Sequence, residues 1–402
     1  MQSKGSTTSS ISNSSSKARY RILFLTEWYP NKFDPQLGVF VQKHAKAIHQ
    51  YCSISVVYVC ADENLQTIYN LELSSKNGFE EITVYYRRNT GVFNSIINTY
   101  RYLKANKTGV KRAEQILGSI DLVHVNVLKR PIIVALILNK TKRLPFIISE
   151  HWTGYAKGIF EEFSFIKKWF LRIMVHQAKA ITTVSIGLKE SMLNSGLKGN
   201  YRIIPNIIES ITPPPPINNS KTKILTVADL LDEQKNISGI IKAIASLTKN
   251  KPLIEYHIIG DGPDRDRLMQ LAKSFGLMNT FVFFHGRKDN EFVYQFMKEI
   301  DFVVINSRYE TFSVVATEAL ANGKPVVATI CGGPEEFINS DNGILIEQGN
   351  QTELELAIEK MILNFKTYDA TKLNYYITEK FNYNTIGKQF YELYTKCLNN
   401  VV

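Results

Sequence analysis

The sequence has little of the material from which disulfide-stabilised, membrane-spanning and phosphate-loop proteins are built. Its four cysteines, Cys52, Cys60, Cys331 and Cys397, are scattered and form no C-x-x-C pair, so we expect reduced thiols in a reducing cytoplasm. The longest apolar run, residues 131–138, is far shorter than the roughly 20 residues that a membrane-spanning helix needs. Neither G-x-G-x-x-G nor G-x-x-x-x-G-K-[ST] occurs, which argues against dehydrogenases and P-loop enzymes.

The amino terminus also lacks an apolar segment. It is rich in serine, so we expect residues 1–17 to form a disordered tail and not a signal peptide. The whole chain of 402 residues is too long for one comfortable core, and its 44% apolar and 21% charged residues are ordinary for soluble globular proteins. Length and composition therefore predict two soluble domains.

The excess of positive over negative charge is confined to one half of the chain. Residues 1–210 contain 28 Lys and Arg against 14 Asp and Glu, whereas the remainder contains 20 against 23. A basic half of this kind is attracted to phosphate groups, and we expect an anionic membrane surface as a partner. A nucleic-acid partner is not expected, because the basic residues form no recognisable motif with aromatic residues. The alternative is an unevenly charged surface without a function.

Buried-strand patterns alternate with helical patterns along the chain, which predicts parallel sheets covered by helices. The clearest strands are residues 20–26, 53–59, 121–127, 145–150 and 180–185, then residues 223–228, 254–260, 281–286, 301–306 and 325–330. Four prolines at 213–216 mark an interdomain linker. The predicted organisation is an N-terminal domain (18–210), a linker (211–222), a C-terminal domain (223–384) and a last helix (385–402) that packs back on the N-terminal domain.

Two glutamates stand eight residues apart around the end of a predicted strand. Glu310 follows the strand 301–306 in a loop, and Glu318 lies about two turns into the next helix. In open parallel sheets, ligands bind beyond the carboxyl ends of the strands, so this loop and helix are a candidate ligand site. The alternative is a pair of solvated surface glutamates.

The sequence around these glutamates resembles glycosyltransferase family 4, the retaining nucleotide-sugar enzymes of GT-B fold. The resemblance covers nearly the whole chain after the tail. It includes the stretches EWYPNKFDPQLGVFV (27–41), EHWTGY (150–155), IPNIIE (204–209), VADLLDEQKN (227–236), IIGDGPDRDRL (258–268) and YETFSVVATEALANGKPVVAT (309–329). The implied fold is α/β, with two doubly wound Rossmann-like domains facing a central cleft.

The resemblance also implies an activity. We expect transfer of a sugar from a UDP- or GDP-sugar to a glycan or lipid-linked acceptor, with retention of configuration, in cell-surface polysaccharide biosynthesis. The expected location is cytoplasmic, peripheral at the inner face of the membrane. No cofactor and no metal are expected, because Asp264 and Asp266 mimic a D-x-D metal motif but open a helix, where acidic residues are favoured.

Residue roles are likewise carried over from the family's motifs. In the C-terminal domain, Glu310 is expected to contact the sugar, and Glu318 the ribose diol. The diphosphate is expected at a site made of Lys235 and the loop residues Thr311, Phe312, Ser313 and Val314. In the N-terminal domain, Gly38 lies beyond the first predicted strand, where the absence of a side chain would let the backbone approach the donor phosphate or the acceptor. His151 is expected to face the donor sugar, so that His151 and Glu310 are the expected catalytic residues. Trp152 and Tyr155 either stack on the acceptor or simply pack.

One position departs from the family pattern. Many members carry an arginine a few residues before the lysine, whereas this chain has Asp229 in that region. The second cation on the diphosphate is then missing or is supplied by Arg287 or Arg308. Two other functions stay open at this point: a catalytically inactive sugar-nucleotide scaffold, and a nucleotide-sugar epimerase of the same fold.

Overall fold

The computed structural model describes residues 19–91, 93–215, 220–249 and 253–399 and contains two β-sheets flanked by helices. The predicted disordered tail, 1–17, and residues 216–219 of the predicted linker lie outside the described residues. Within those ranges, no helix is both long enough and apolar enough to cross a membrane.

The first sheet is built from the N-terminal half of the chain. Its strands are β1 (Arg21–Thr26), β2 (Ser53–Asp62), β3 (Tyr69–Ser74), β4 (Glu80–Arg87), β5 (Leu122–Asn126), β6 (Phe146–Glu150), β7 (Ala180–Thr183) and β8 (Tyr201–Ile203). They lie in the order β3-β4-β2-β1-β5-β6-β7-β8, parallel except for the antiparallel pair β3 and β4. Five helices connect them: α1 (Val39–His49), α2 (Asn94–Leu117), α3 (Pro131–Lys142), α4 (Phe165–Gln177) and α5 (Ile186–Asn194).

The second sheet is wholly parallel. Its strands are β9 (Thr222–Val227), β10 (Ile254–Ile259), β11 (Val282–Phe284), β12 (Phe302–Ile305), β13 (Val326–Thr329) and β14 (Gly343–Ile346), in the order β11-β10-β9-β12-β13-β14. The helices are α6 (Asp232–Lys235), α7 (Ile237–Leu247), α8 (Arg265–Ser274), α9 (Asn290–Glu299), α10 (Val314–Ala321), α11 (Gln351–Asn364), α12 (Ala370–Phe381) and α13 (Tyr383–Leu398).

The central strands are buried on both faces, as their continuous apolar sequences predict. In β1, Ile22 and Phe24 pack on one side of the sheet and Leu23 and Leu25 pack on the other, and all four side chains are fully buried. The predicted α/β class, with two doubly wound Rossmann-like domains, is confirmed.

Helix α13 returns from the second sheet to pack against the first. Its residues Ile386 and Phe390 lie in the same apolar cluster as Ala45 of α1. The two helices approach closely, because a Cβ added at Gly387 would lie 2.4 Å from the carbonyl oxygen of Ala47. The last helix therefore ties the two halves of the chain together.

Each sheet has one point at which the connections change direction. In the first sheet β1 lies between β2 and β5, and in the second sheet β9 lies between β10 and β12. Loops diverge at such switch points and leave a crevice beyond the strand ends, which is where doubly wound folds bind ligands. The two domains touch near these ends, since Lys157 Nζ donates to Gln234 Oε1 at 2.8 Å.

Candidate active site

An ion pair lies at the switch point of the second sheet. Lys235 ends the short helix α6 that follows β9, and Glu310 lies in the loop that follows β12. Lys235 Nζ is 2.6 Å from Glu310 Oε1, which also accepts a hydrogen bond from Ser307 Oγ at 2.7 Å. Both charged side chains are largely buried, with 19% and 13% of their surface exposed. The structure thus places together two residues that stand 75 positions apart in the sequence.

The loop between Glu310 and α10 is held in one conformation. Phe312 is buried against Phe337 and Phe381, at ring-centroid distances of 5.6 and 5.2 Å. Gly333 is required behind it, because an added Cβ would lie 2.8 Å from the backbone nitrogen of Phe312. Thr311 lies between Glu310 and Phe312 and is half-buried. The backbone that is expected to face the diphosphate is therefore closely packed from behind.

Helix α10 begins without a side-chain cap. Ser313, the residue before the helix, has a left-handed backbone with φ of 68°, and its hydroxyl accepts no capping hydrogen bond. The first N–H groups from Val314 onward are therefore available, and they carry the positive end of the helix dipole. A helix start of this kind binds anions such as phosphate.

Glu318 lies within α10, and its environment differs from that of Glu310. Tyr294 of α9 donates its hydroxyl to Glu318 Oε1 at 2.9 Å. Burial raises the pKa of the Glu318 carboxyl, and the charge of Lys43 from the N-terminal domain opposes this rise. Lys43 also lies 3.6 Å from Glu209, which accepts a hydrogen bond from Tyr383 at 2.6 Å. Polar groups from both domains thus converge around Glu318.

Gly38 precedes α1 at the end of the loop that follows β1. Its φ is 67°, and an added Cβ would lie 2.4 Å from the carbonyl oxygen of Trp28. Both the left-handed backbone and the close approach to Trp28 exclude a side chain at this position. Helix α1 also begins without a side-chain cap, but backbone carbonyls occupy much of its first turn: the Val41 nitrogen donates to the Gly38 carbonyl at 2.9 Å and the Val39 nitrogen to the Gln36 carbonyl at 3.5 Å.

His151 is buried one residue beyond β6. Its ring packs 4.5 Å from the ring of Phe40 and 5.5 Å from that of His44. Both ring nitrogens are buried and have no hydrogen-bond partner among the described residues. Burial lowers the pKa of His151 well below its ordinary value, so the imidazole is neutral at physiological pH.

Glu150 is a buried residue that the sequence analysis did not single out. Its carboxylate accepts hydrogen bonds from the backbone nitrogens of Leu128, His151 and Trp152, at 2.9, 2.7 and 2.9 Å. Tyr155 donates its hydroxyl to the same carboxylate at 3.1 Å. Glu150 thereby fixes the turn that carries His151. The available signal was a glutamate directly after the apolar strand sequence PFIIS.

The two candidate acceptor residues differ in exposure. Tyr155 is buried and its hydroxyl is bound to Glu150, so the structure favours packing over acceptor contact for this residue. Trp152 is half-buried and stacks on Phe163 with a ring-centroid distance of 5.9 Å. The Nζ atom of Lys129 lies 5.9 Å from the Trp152 ring. Trp152 thus keeps part of its surface accessible.

Comparison with known proteins identifies the family of the chain. Residues 56–210 match the family model for Glycosyltransferase Family 4, and residues 208–377 match that for glycosyl transferases group 1. The chain is a GT-B glycosyltransferase of the family 4 type. The two matched segments overlap at residues 208–210, in the connection between the first and second sheets.

Several curated relatives are glycosyltransferases. An uncharacterised glycosyltransferase of Methanocaldococcus jannaschii is 27% identical over 63% of this chain and 69% of its own length. The N-acetylgalactosamine-N,N'-diacetylbacillosaminyl-diphospho-undecaprenol 4-alpha-N-acetylgalactosaminyltransferase of Campylobacter jejuni is 28% identical over 61% of this chain and 68% of its own length. The lipopolysaccharide core biosynthesis glycosyltransferase LpsE of Rhizobium meliloti is 29% identical over 44% of this chain, and this alignment spans only 52% of LpsE.

Solved structures share the fold of this glycosyltransferase. Sucrose-phosphate synthase from Thermosynechococcus elongatus superposes with a TM-score of 0.73 and 18% identity, over 95% of this chain and 100% of the other. Anabaena HepE, solved in complex with UDP and glucose, superposes with a TM-score of 0.69 and 20% identity, over 94% and 100% of the two chains. At these identities the likeness shows the GT-B fold alone.

The glycosyltransferase pairs the unusual Asp229 with one of the two candidate arginines. Arg287 Nη2 lies 3.7 Å from Asp229 Oδ1, and both side chains are mostly exposed. The Arg308 side chain is exposed, and its backbone nitrogen donates to Gln234 at 2.8 Å. Arg287 therefore lies near Asp229, beyond the end of β9, and an exposed pair at this distance constrains the arginine only weakly.

The D-x-D stretch of the glycosyltransferase has a structural partner. Asp264 accepts hydrogen bonds from the backbone nitrogen of Asp232 at 2.8 Å and from Arg267 at 3.2 Å. Asp266 lies in the first turn of α8. In the part of the chain that the structure describes, no group of three or more His, Cys, Asp or Glu side chains is arranged to hold a metal ion.

Proposed function

We propose that this glycosyltransferase is a retaining enzyme that transfers a sugar from a UDP- or GDP-sugar to a glycan or lipid-linked acceptor. The observation that carries the proposal is the Lys235–Glu310 ion pair, which lies at the switch point of the second sheet. The loop that contains Glu310 leads directly into the uncapped start of α10. A cation, a helix start and a carboxylate in one crevice suit a diphosphate joined to a sugar.

The chemistry of transfer explains why these groups belong together. Breaking the bond at the anomeric carbon builds negative charge on the departing diphosphate, so the site must supply fixed positive potential there. Lys235 and the first N–H groups of α10 are suited to that task. When the donor binds, Glu310 would accept hydrogen bonds from hydroxyl groups of the sugar in place of its contact with Lys235. Glu318 would accept hydrogen bonds from the ribose diol.

His151 is suited to a neutral role on the opposite side of the cleft. Because its imidazole is uncharged and both nitrogens lack a protein partner, one nitrogen is able to donate a hydrogen bond while the other accepts one. We propose that the ring or the backbone of His151 contacts the donor sugar on its reacting face. Glu150 keeps the turn in place by binding the backbone nitrogen of His151.

Similar proteins support the substrate classes. HepE has been solved with UDP and glucose, and the Campylobacter relative is named for a diphospho-undecaprenol acceptor. LpsE is named for lipopolysaccharide core biosynthesis. These names support a nucleotide-sugar donor, a lipid-linked acceptor and a place in cell-surface polysaccharide biosynthesis.

The surface of α4 supports a peripheral location at the cytoplasmic face of the membrane. Phe165, Ile166, Trp169 and Phe170 are 77%, 74%, 52% and 51% exposed, and their spacing places them along one side of the helix. We call these four residues the α4 apolar stripe. The helix belongs to the basic half of the chain, and a basic surface with exposed aromatics is typical of proteins that bind anionic lipid.

The test is a calorimetric screen of the purified protein against a panel of nucleotide sugars, followed by donor hydrolysis assays. We expect one UDP- or GDP-sugar to bind and to be hydrolysed slowly without an acceptor. Activity should persist in excess EDTA, because the proposed site neutralises the diphosphate with Lys235 and the start of α10 and uses no metal.

Variants sharpen the screen. Lys235→Ala should weaken donor binding about tenfold or more, as expected for loss of a charge-assisted contact, whereas Lys242→Ala, at an exposed position of α7, should not. Binding without hydrolysis, even with glycan or lipid-linked acceptors, would favour an inactive scaffold. Complete loss of activity in EDTA, restored by Mn²⁺ or Mg²⁺, would reject metal independence.

A further inference from the structure

The start of α5, in the N-terminal domain, is capped by a carboxylate from the C-terminal domain. Glu336 Oε1 accepts a hydrogen bond from the backbone nitrogen of Ile186 and another from that of Gly187, the latter at 3.3 Å. Ser185 accepts a hydrogen bond from the Leu188 nitrogen at 3.0 Å. The first three N–H groups of the helix are thus all satisfied, two of them from the other domain.

The two backbones meet without any intervening side chain. A Cβ added at Gly187 would lie 2.4 Å from the carbonyl oxygen of Gly332 and 2.8 Å from its Cα. Real Cβ atoms do not approach backbone atoms this closely, so a side chain at Gly187 would push the two segments apart. The arrangement therefore requires a glycine on the α5 side of the contact.

The segment that contacts α5 also supports the loop of the candidate active site. Glu310 donates its backbone nitrogen to the Cys331 carbonyl at 3.1 Å. The two glycines that follow Cys331 also lie close to this loop. A Cβ added at Gly332 would lie 3.2 Å from the Glu310 carbonyl oxygen, and one added at Gly333 would lie 2.8 Å from the Phe312 backbone nitrogen. Residues 331–336 thus lie between α5 on one side and the Glu310 loop on the other.

We propose that Glu336 is an interdomain latch: a positioning residue that holds the start of α5 on the Gly332–Gly333 turn and so couples domain closure to the geometry of the Glu310 loop. A carboxylate is suited to this task because it complements the positive end of the α5 dipole. When the domains separate, the carboxylate and both N–H groups return to water. The link to the Glu310 loop rests on the proposed function, whereas the latch itself does not.

The first experiment needs no nucleotide. Small-angle X-ray scattering of the full chain should show a larger radius of gyration for Glu336→Ala than for the unaltered protein, because charge-assisted hydrogen bonds of this kind favour closure by about tenfold or more. Glu190→Ala, at an exposed position of α5, is the matched control and should leave the radius unchanged.

A second variant tests the same contact by shape. Gly187→Ala should enlarge the radius in the same way, whereas Gly91→Ala, where the nearest neighbouring atoms lie 3.9 Å from the added Cβ, should not. Glu336→Gln keeps an oxygen acceptor and removes the charge, so it should enlarge the radius of gyration less than Glu336→Ala does. Thermal unfolding followed by circular dichroism confirms that each variant is folded.

The link to the active site is tested by separating binding from turnover. With the donor found in the screen, Glu336→Ala should lower turnover about tenfold while the UDP or GDP dissociation constant stays within about twofold, because the proposed nucleotide contacts all lie in the C-terminal domain. Unchanged radii in both Glu336→Ala and Gly187→Ala would overturn the latch. A failed donor screen would overturn the proposed function and leave the scattering result standing.

Discussion

Glu310 and Glu318 are given different partners by the protein. The carboxylate of Glu310 is neutralised by Lys235 and oriented by Ser307. Glu318 accepts one hydrogen bond, from Tyr294, and its pKa is raised by burial. The Glu310 carboxylate is paired with a lysine, and a polar ligand is able to replace that lysine as its partner. The Glu318 carboxylate has one neutral donor, so it is able to accept further hydrogen bonds. The two residues are therefore suited to different parts of one donor.

This difference predicts a split between binding and turnover. Glu318→Ala should weaken binding of UDP or GDP about tenfold or more, because hydrogen bonds to a charged group are lost. Glu310→Ala should mainly lower turnover of the nucleotide sugar and leave nucleotide affinity nearly unchanged. Calorimetry with UDP and GDP, together with steady-state kinetics, measures both effects.

Exposed Glu347 of the same domain supplies the control for that experiment. Glu347→Ala should change neither affinity nor turnover. If a folded Glu318→Ala variant bound both nucleotides as tightly as the unaltered protein, its assignment to the ribose would be wrong.

The spacing in the sequence indicated the two glutamates but not the residues that contact their carboxylates. The eight-residue interval and the flanking strands are local features, and they were sufficient to predict a site after β12. Glu310 and Lys235 are 75 residues apart, and Glu318 and Tyr294 are 24 apart, so their contacts depend on how the strands are ordered in the sheet. Lys235 was found only through resemblance to a family, and Tyr294 and Glu150 were not found at all.

At the scale of the secondary-structure elements, α1 and α13 cover a row of buried histidines. His124 of β5 contacts the Tyr394 hydroxyl of α13 through Nδ1 at 2.7 Å and Ser149 through Nε2 at 2.6 Å. His44 of α1 donates to the carbonyl of Pro205 at 2.9 Å. The ring of His151 lies beside that of His44. Protonation of any of these rings would place a charge in an apolar cluster.

The free energy of unfolding should therefore fall in mild acid. Burial lowers the pKa of His44 to about 4 and lowers those of His124 and His151 well below their ordinary value of 6.5. Between pH 6.5 and pH 4 the unfolded chain binds protons that the folded chain does not, so stability is present above pH 6.5 and declines as the pH decreases. Each such histidine contributes a slope of about 1.4 kcal/mol per pH unit.

Urea unfolding followed by circular dichroism at several pH values measures this slope. His44→Gln keeps a side-chain donor for the Pro205 carbonyl and removes the titrating ring, so the slope should become shallower by about 1.4 kcal/mol per pH unit. His176→Gln, at an exposed position of α4, is the control and should leave the slope unchanged. An identical slope in His44→Gln would contradict the prediction.

The elements themselves were predicted unevenly from sequence. Strongly apolar strands such as β1, β5 and β12 were located to within one or two residues, because burial on both faces gives continuous apolar runs. The antiparallel pair β3 and β4 was not predicted, since β3 has a polar sequence, YNLELS, at the edge of the sheet. Short β8 was also missed, because three residues are too few for a recognisable pattern.

At the scale of the whole molecule, charge and exposed apolar surface coincide in the N-terminal half. That half carries 28 basic against 14 acidic residues, and it contains the α4 apolar stripe. The cations nearest the stripe are already engaged within the protein. Lys168 is paired with Glu161 at 2.9 Å, and Arg172 donates to the Ser195 carbonyl at 3.1 Å. The aromatic residues of the stripe therefore offer a sharper test of membrane binding than these cations do.

We predict that the protein co-sediments with vesicles containing anionic phospholipid, binds neutral vesicles weakly, and is released by high salt. Long-range attraction to the leaflet weakens as added salt shortens the Debye length. The double variant Phe165→Ser and Trp169→Ser should lower vesicle affinity by about tenfold or more, because burial of one large apolar side chain contributes about 1.5–3 kcal/mol. Leu356→Ser with Leu363→Ser, which removes two apolar side chains that are 60% and 69% exposed on α11 of the other domain, should leave affinity unchanged. Binding that ignores lipid charge, salt and the Phe165 and Trp169 changes would reject the membrane surface and favour an acceptor that is met in solution.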